Sequence, residues 1–113
     1  MANEQHDIAD GTLEVRTAIE DGTRVVSLSG ELDLSNAETA KTALQEAQEA
    51  DAPLIVDMRE LEFIDSTGIA LLVGIIGGDP GPEVRFVPSD SAAVTRVMEL
   101  TGLAGRLPLV EAE

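Results

Sequence analysis

Three aspartates and one serine are the residues whose types and positions could do chemistry in this chain. Asp33, Asp57 and Asp65 each follow a short apolar segment, and Ser66 comes directly after Asp65. Carboxylates at strand ends could hold Mg²⁺, but they more often cap helices and bind backbone N–H groups, so we expect no metal site. A serine nucleophile needs a base, and the only histidine is His6, near the N-terminus. We therefore expect no catalytic triad and no enzyme.

The segment Asp65-Ser66-Thr67-Gly68 carries more polar groups than a helix start requires. An apolar run over residues 69–76 follows it, so a helix must begin at this junction. Either Asp65 or Ser66 alone could accept hydrogen bonds from the free N–H groups of the first turn. Helix capping is therefore one interpretation, and a functional role for the two adjacent hydroxyls is the other.

The composition excludes several classes of partner. The chain has 113 residues, of which 22 are acidic and 7 are basic, and its net charge is −15. Nucleic acid and anionic membrane surfaces are poor partners for such a chain, because both require clustered lysine and arginine. Cysteine is absent and only two residues are aromatic, so we expect neither thiolate chemistry nor base stacking. No P-loop is present, and we expect no cofactor.

The length fits a single domain. Residues 1–11 are polar and are predicted to be a flexible tail, whereas residues 12–110 are predicted to form the domain. The N-terminus lacks the basic start and apolar stretch of a secretory signal, and no apolar run approaches the ~20 residues of a membrane span. We therefore expect a cytoplasmic protein without membrane insertion.

Hydrophobic periodicity predicts the elements that position the serine and the aspartates. Alternating residues over 13–19, the turn Asp21-Gly22 and a return strand over 24–30 with Val26 and Leu28 on its core side predict an antiparallel hairpin. A helix is predicted to begin at Ser35, with Glu38 completing a capping box. Apolar residues recur along this helix at helical spacing, namely Ala37, Ala40, Leu44 and Ala47.

The second half of the chain alternates strands and helices. A third helix is predicted to begin at Ser89 or Asp90, to bury Val94, Val97 and Met98, and to end near Gly102. A last short strand is predicted over residues 107–110. Two short apolar runs predict buried parallel strands, residues 54–56 and residues 84–87.

This order predicts a mixed α/β sheet of four to five strands, with an N-terminal antiparallel hairpin, β–α crossovers and about three helices. Functional loops in such sheets lie at the carboxyl ends of the parallel strands. The predicted strand order therefore places Asp33 near Asp65 and Ser66. Three loops are predicted to meet there, residues 31–36, 61–68 and 88–91.

Several separated segments resemble the STAS domain, and within it the anti-sigma factor antagonists. The resemblance covers about residues 12–110. It implies a STAS-like fold and a protein that binds an anti-sigma factor, often a serine/threonine kinase, and thereby frees a sigma factor. The matching segments are Gly30-Glu31-Leu32-Asp33, residues 54–58, Phe63-Ile64-Asp65-Ser66-Thr67-Gly68 and residues 97–103.

The resemblance implies a switch at Ser66. In the family, the kinase inactivates the antagonist by phosphorylating the serine that follows the aspartate of an Asp-Ser-Ser/Thr-Gly motif, which is Ser66 here. Asp33 falls on the acid of the family's first motif, and Asp65, Thr67 and Gly68 surround the acceptor. A phosphoryl group adds a charge of roughly −1.5 to −2, which a helix N-terminus tolerates. The disruption should therefore fall on the partner interface rather than on the fold.

Two residues of the second helix, Leu71 and Ile75, lie off its predicted core-facing stripe of Ile69, Leu72, Val73 and Ile76. We expect one of the two to stay partly exposed beside Ser66 and to form the apolar centre of the partner interface, with acidic residues as its rim. The alternative is a helix that is buried all round.

Two other functions stay open on the sequence. One is a STAS subunit of a stress-signalling or lipid-transport complex, and the other is a module for a small ligand or nucleotide. Relatives commonly have a longer charged second helix and a final helix, whereas here residues 77–82 (GGDPGP) end the second helix and the chain ends at Glu113. Both departures would alter the choice of partner without touching the Ser66 motif.

Overall fold

The computed structural model describes residues 5–49, 52–76 and 84–102. The predicted final strand over residues 107–110 and the glycine-rich segment 77–82 lie outside the described residues. The elements run in the order β1 (Gln5–Asp10), β2 (Leu13–Glu20), β3 (Thr23–Leu32), α1 (Ala37–Glu49), β4 (Leu54–Asp57), β5 (Leu61–Ile64), α2 (Ser66–Ile76), β6 (Val84–Val87) and α3 (Ala92–Leu100).

The strands form one mixed sheet centred on β3. β2 pairs antiparallel with both β1 and β3, and β4 pairs parallel with both β3 and β6. β4 lies along the first half of β3, whereas β5 pairs parallel with its last residues. The predicted mixed α/β sheet with three helices is confirmed, with six strands in the described residues where the sequence predicts four or five.

β1 occupies residues 5–10 of the flexible tail predicted over residues 1–11 and corrects the prediction for these six residues. Its six residues pair antiparallel with β2 along their whole length. The sequence of this strand contains a single large apolar residue, Ile8, and that side chain is 48% exposed. An edge strand buries few side chains, so its sequence need not alternate apolar and polar residues. The pattern that predicts a strand is therefore missing from this segment.

β5 is the second strand that the sequence does not predict. Leu61 and Ile64 are buried, but both residues between them, Glu62 and Phe63, are exposed. Two buried positions three residues apart do not alternate, so the pattern is not that of a strand. The pairing of β5 with β3 depends instead on a shift of register directly after Gly30.

Gly30 permits this irregularity. Its φ of 95° lies in the left-handed region that favours glycine. A Cβ atom at this position would overlap the carbonyl oxygen of Thr12. The same oxygen accepts a hydrogen bond from the Glu31 N–H at 3.2 Å. Glycine therefore lets the end of β3 pair with β5 while the β1–β2 turn packs directly on its backbone.

The helices cover one face of the sheet. Along β2, Leu13 and Val15 are buried while Glu14 and Arg16 are exposed, which is the alternation of a half-covered strand. Burying each large apolar side chain stabilises the fold by roughly 1.5–3 kcal/mol. The core draws on all three helices, and its largest fully buried side chains are Phe86, Leu13, Leu28, Leu32, Leu44, Leu54, Met58, Leu61, Leu72, Val15, Val26 and Val56.

The apolar stripes predicted for α1 and α3 are largely confirmed. In α3, Val94 and Met98 are buried and Val97 is half-buried, and Gly102 follows the helix with a φ of 75°. In α1, Ala37 is only half-buried, and the buried residues are Ala40, Ala43, Leu44 and Ala47.

α1 begins at Ala37 rather than at Ser35. The Ser35 N–H and hydroxyl both donate to Asp33 Oδ1, at 3.0 and 2.6 Å. The Ser35 hydroxyl is therefore engaged in the preceding loop, and among the described residues it forms no capping box with Glu38.

α3 begins after Ser91 rather than at Ser89 or Asp90. The Ser89 hydroxyl oxygen accepts the Ser91 N–H at 2.9 Å and its hydrogen is donated to the Leu61 carbonyl oxygen at 2.6 Å. Ser89 thus joins the β6–α3 loop to β5 instead of capping the helix.

Asp57, at the end of β4, forms an ion pair with Arg59 across the β4–β5 turn. Arg59 Nη2 lies 2.6 Å from Asp57 Oδ2, and the Arg59 backbone N–H donates to Asp57 Oδ1 at 3.0 Å. Burial raises the pKa of the Asp57 carboxyl, but hydrogen bonds from the Arg59 side chain and backbone and its positive charge outweigh burial. The pKa of Asp57 therefore lies below its ordinary value of 3.8.

We expect Asp57→Asn to lower the free energy of unfolding by about 1 kcal/mol at pH 7, because Arg59 loses its charged partner while remaining half in solvent. A lowered folded-state pKa stabilises the protein above the unfolded-state pKa, and this stability is lost as pH falls through the folded-state pKa. The difference between wild type and Asp57→Asn should therefore shrink below about pH 4. Urea unfolding of both proteins at a series of pH values from 7 to 2.5 measures this difference in the free energy of unfolding.

Asp7→Asn is the control for this prediction. Asp7 faces Arg16 at 3.4 Å with both side chains about half exposed, at 49% and 50%. Losing this exposed ion pair should lower the free energy of unfolding by less than about 0.5 kcal/mol at any pH. A constant difference between wild type and Asp57→Asn across the whole range would contradict the assigned role of the Asp57 carboxylate.

Candidate functional site

Two loops, at the carboxyl ends of β3 and β5, meet at the N-terminus of α2. The Leu34 N–H donates to Asp65 Oδ2 at 3.2 Å, across 31 residues of sequence. The Asp65 N–H in turn donates to the Leu32 carbonyl oxygen at 3.1 Å. Because Leu32 and Leu34 flank Asp33, these bonds bring Asp33 beside Asp65 and Ser66, as the order of elements predicts.

The third loop, between β6 and α3, joins the opposite end of β5. The Ser89 hydroxyl donates to the Leu61 carbonyl oxygen at 2.6 Å, and the Ser91 hydroxyl donates to the Glu62 carbonyl oxygen at 3.3 Å. In the described part of the chain neither serine bonds to Asp65. The prediction that three loops meet at one point is therefore corrected to two.

Asp65 caps α2 and uses both of its carboxylate oxygens. Oδ1 accepts the Thr67 and Gly68 N–H groups at 2.9 and 3.1 Å, while Oδ2 accepts the N–H of Leu34. A carboxylate is well suited to this place, because the N–H groups are otherwise unpaired and the helix dipole favours negative charge. Asp65 is therefore a positioning residue that ties the first turn of α2 to the β3–α1 loop.

Gly68 is required for close packing. A Cβ atom at this position would lie 2.6 Å from Ile64 Cγ1 and 2.9 Å from Leu32 Cγ. These are core side chains at the ends of β5 and β3, both buried. The first turn of α2 can therefore rest on the two strand ends only because the residue there has no side chain.

Ser66 is the first residue of α2, and it is exposed. Its hydroxyl has no hydrogen-bond partner among residues 5–49, 52–76 and 84–102. The neighbouring Thr67 is half-buried and its N–H is bound by Asp65. Of the two adjacent hydroxyls, that of Ser66 is thus the more accessible, and it lies at the positive end of the helix dipole, where an added anionic group is tolerated.

A buried asparagine holds the β3–α1 loop in shape. Asn36 is 1% exposed, its Oδ1 accepts the Asp33 N–H at 2.9 Å, and its Nδ2 donates to the Glu31 carbonyl oxygen at 3.0 Å. Nδ2 also lies 3.5 Å from the Asp10 carbonyl oxygen, and Asp10 Oδ2 accepts the Thr39 hydroxyl at 2.6 Å. β1, the end of β3 and the start of α1 are therefore joined through this one side chain.

Asn36 was not singled out from the sequence, although an asparagine directly before a helix is a recognisable signal for a structural hydrogen bond. The sequence does not predict that Asn36 is buried, because the side chain packs beside the end of β1, and the sequence does not predict β1. Asp33, by contrast, is half-buried, and only its Oδ1 is engaged, by Ser35. Its Oδ2 accepts no hydrogen bond from the described residues.

The two α2 residues expected beside the interface differ in burial. Leu71 is half-buried, whereas Ile75 is 7% exposed and packs in the core. The expectation that one of the two stays partly exposed is met by Leu71, whereas Ile75 belongs to the core. Leu71 lines a shallow groove of about 470 Å³ between α1 and α2, together with Ala37, Glu38, Lys41, Gln45, Gln48, Thr67, Ala70, Gly74 and Ile75.

Two exposed apolar side chains on the elements that form the site were not predicted from the sequence. Leu34 is 77% exposed in the β3–α1 loop, and Phe63 is 46% exposed on β5. The signal for Leu34 was available, because it is the one large apolar residue in a polar loop sequence. Phe63 could not be placed without recognising β5 as a strand.

Two of the three aspartates considered as metal ligands use both carboxylate oxygens in bonds within the protein. Asp65 binds backbone N–H groups and Asp57 binds Arg59. Across the described ranges, no three potential metal-ligating side chains form a cluster, and no helix is long and apolar enough to cross a membrane.

Comparison with known proteins identifies relatives of this chain. It is 32% identical over 98 residues to the anti-sigma-F factor antagonist RsfB of Mycobacterium tuberculosis, a match that covers 84% of this chain and 79% of the relative. A crystal structure of an anti-sigma factor antagonist from Mycobacterium paratuberculosis superimposes with a TM-score of 0.80 at 27% identity, covering 92% of this chain and 90% of that one.

SpoIIAA, a Bacillus cell fate determinant, shares the fold at 21% identity. Its unphosphorylated form gives a TM-score of 0.60 over 99% of this chain and 89% of that one, and its phosphorylated form gives 0.55 over 99% and 92%. The family model for the STAS domain matches residues 14–112, which include both loops of the site. With this match and the 32% identical relative, the chain belongs to the STAS domain family.

Proposed function

We propose that this protein is an anti-sigma factor antagonist. It binds an anti-sigma factor through the surface around Ser66 and thereby releases a sigma factor, acting in the cytoplasm as a regulator rather than as an enzyme. The Mycobacterium tuberculosis relative is named as an antagonist of anti-sigma-F factor, and its match extends over most of both chains. The Mycobacterium paratuberculosis structure carries the same description.

The observation that carries this proposal is the exposed hydroxyl of Ser66 at the N-terminus of α2, which has no hydrogen-bond partner among the residues that the structure describes. Asp65 holds that residue beside the β3–α1 loop, so the hydroxyl and the loop form one continuous surface. The half-buried Leu71 and Thr67 extend the surface into the α1–α2 groove. A partner that covers this region can therefore both bind the loop and reach the hydroxyl.

We propose further that the anti-sigma factor is a serine/threonine kinase and that it phosphorylates Ser66. The phosphoryl group would add its charge beside Asp33 and Asp65, in a chain whose net charge is already −15. The helix N-terminus accommodates the charge, so the domain stays folded. Bulk, desolvation and repulsion at the interface then displace the partner.

We expect Ser66→Ala to abolish phosphorylation by the cognate anti-sigma factor and to leave binding intact. Ser66→Asp should weaken binding while the melting temperature stays within about 2 °C of wild type, since the side chain is exposed. Phosphate incorporation followed by mass spectrometry locates the modified residue, and calorimetry measures the affinity.

Thr67→Ala is the matched control for the Ser66 variants, because it removes the adjacent hydroxyl and leaves the backbone N–H that Asp65 caps. Phosphate should still appear on Ser66 in this variant. Phosphate found on Thr67 in the wild-type chain, or on Ser66→Ala at the normal rate, would exclude Ser66 as the switch.

Asp33→Asn tests the contribution of the loop charge. The amide oxygen can still accept the two Ser35 hydrogen bonds, so the loop should keep its shape while one negative charge is lost. We expect partner binding or phosphorylation to weaken by about 1–3 kcal/mol, the usual range for one charge-assisted contact. Calorimetric affinities and phosphorylation rates at fixed salt measure the effect.

Asp21→Asn removes the same charge at the other end of the sheet. Asp21 lies in the β2–β3 turn with a φ of 53°, a conformation that asparagine also adopts readily. It should bind the partner as tightly as wild type. If Asp33→Asn and Asp21→Asn behave alike, net charge rather than the position of Asp33 determines the affinity.

A further inference from the structure

Leu34 is an apolar side chain held out into solvent at the tip of the β3–α1 loop. It is 77% exposed, more than Ile8, Phe63 or Leu100, the other large exposed apolar residues in the described ranges. Neither the core nor the hydrogen bonds of the loop use this side chain, because only its backbone N–H is engaged. Its exposure therefore has no role in the stability of the isolated domain.

Hydrogen bonds on both sides of Leu34 hold the loop that carries it. Its N–H is bound by Asp65 Oδ2, and the residues on either side form a closed turn, in which the Asn36 N–H donates to the Asp33 carbonyl oxygen at 3.1 Å. The buried Asn36 side chain and the Ser35 hydroxyl fix the same turn from within. A side chain presented on such a loop loses little conformational freedom when a partner covers it.

Leu34 and Ser66 belong to the same surface. Asp65 is the residue directly before Ser66, and its Oδ2 accepts a hydrogen bond from the Leu34 N–H at 3.2 Å. A stable protein interface covers about 800 Å² on each partner. An interface of that size centred on the Ser66 hydroxyl therefore extends to the loop that carries Leu34.

We infer that Leu34 is the apolar anchor of this surface and inserts into an apolar pocket with a basic rim on the anti-sigma factor, an inference that rests on the function proposed above. Side chains that fill fully desolvated pockets carry much of the binding free energy of an interface, and a side chain on a loop already held by hydrogen bonds loses little conformational freedom when it does so. Two carboxylates next to Leu34, those of Asp33 and Asp65, specify the positive rim.

Charge also argues against a second copy of this chain as the occupant. A symmetric contact through Leu34 would bring two sets of these carboxylates together, and each chain carries a net charge of −15. Like charges facing each other across an interface oppose association. A basic partner removes this repulsion, and its affinity should fall as the salt concentration rises.

The test compares Leu34 with Leu100, which is 75% exposed but lies in the last turn of α3. Leu34→Ala should weaken binding to the host's recombinant anti-sigma factor roughly 30-fold, a typical effect for an anchor residue. Leu34→Met, which keeps the apolar volume, should stay within about threefold of wild type. Leu100→Ala should bind like wild type, and all three variants should melt like wild type.

Phosphorylation kinetics provide a second readout. Leu34→Ala should raise the KM for phosphorylation of Ser66 and leave kcat unchanged, because the side chain supplies binding rather than chemistry. Equal affinities for wild type and Leu34→Ala would overturn the inference while leaving the proposed function standing. Failure of the wild-type chain to bind the anti-sigma factor would overturn both. Self-association in ultracentrifugation that Leu34→Ala abolishes would assign the anchor to a second copy instead.

Discussion

The hydrogen bonds of one carboxylate, that of Asp65, hold the functional surface together. Oδ1 caps the first turn of α2, and Oδ2 binds the loop that follows β3, so this carboxylate joins two segments 31 residues apart. Any group presented at this junction is held by the helix on one side and by the loop on the other. The phospho-acceptor proposed at Ser66 and the anchor proposed at Leu34 both lie next to this carboxylate, which explains why an aspartate precedes the serine.

This junction depends on close backbone approaches that only glycine permits. Gly68 lets α2 begin directly on the ends of β3 and β5, and Gly30 lets β3 change partner from β4 to β5. Asn36 then joins the loop to the edge strand β1 through the Asp10 carbonyl oxygen. The residues of the STAS motifs therefore largely serve to place two loops side by side, and the phosphorylation proposed at Ser66 needs only one exposed hydroxyl.

Much of this arrangement follows from the sequence, and the failures have physical causes. The hairpin turn at Asp21-Gly22, the parallel strand β4, α2 and the convergence of Asp33 with Asp65 were predictable, because periodicity and glycine placement report local structure directly. β1 and β5 were not, since the first is an exposed edge and the second breaks alternation. The burial of Ile75 and the exposure of Leu34 depend on how α1, α2 and the loop pack, which no single segment encodes.

The most direct test maps the partner-binding surface on the isotope-labelled chain by amide chemical shifts during titration with the anti-sigma factor. The account predicts the largest changes in the β3–α1 loop and the first turns of α2, centred on Leu34 and Ser66, and no changes for the chain phosphorylated on Ser66. Changes confined to the open face of the sheet, around Arg16 and Ser27, or the same changes after phosphorylation, would contradict it.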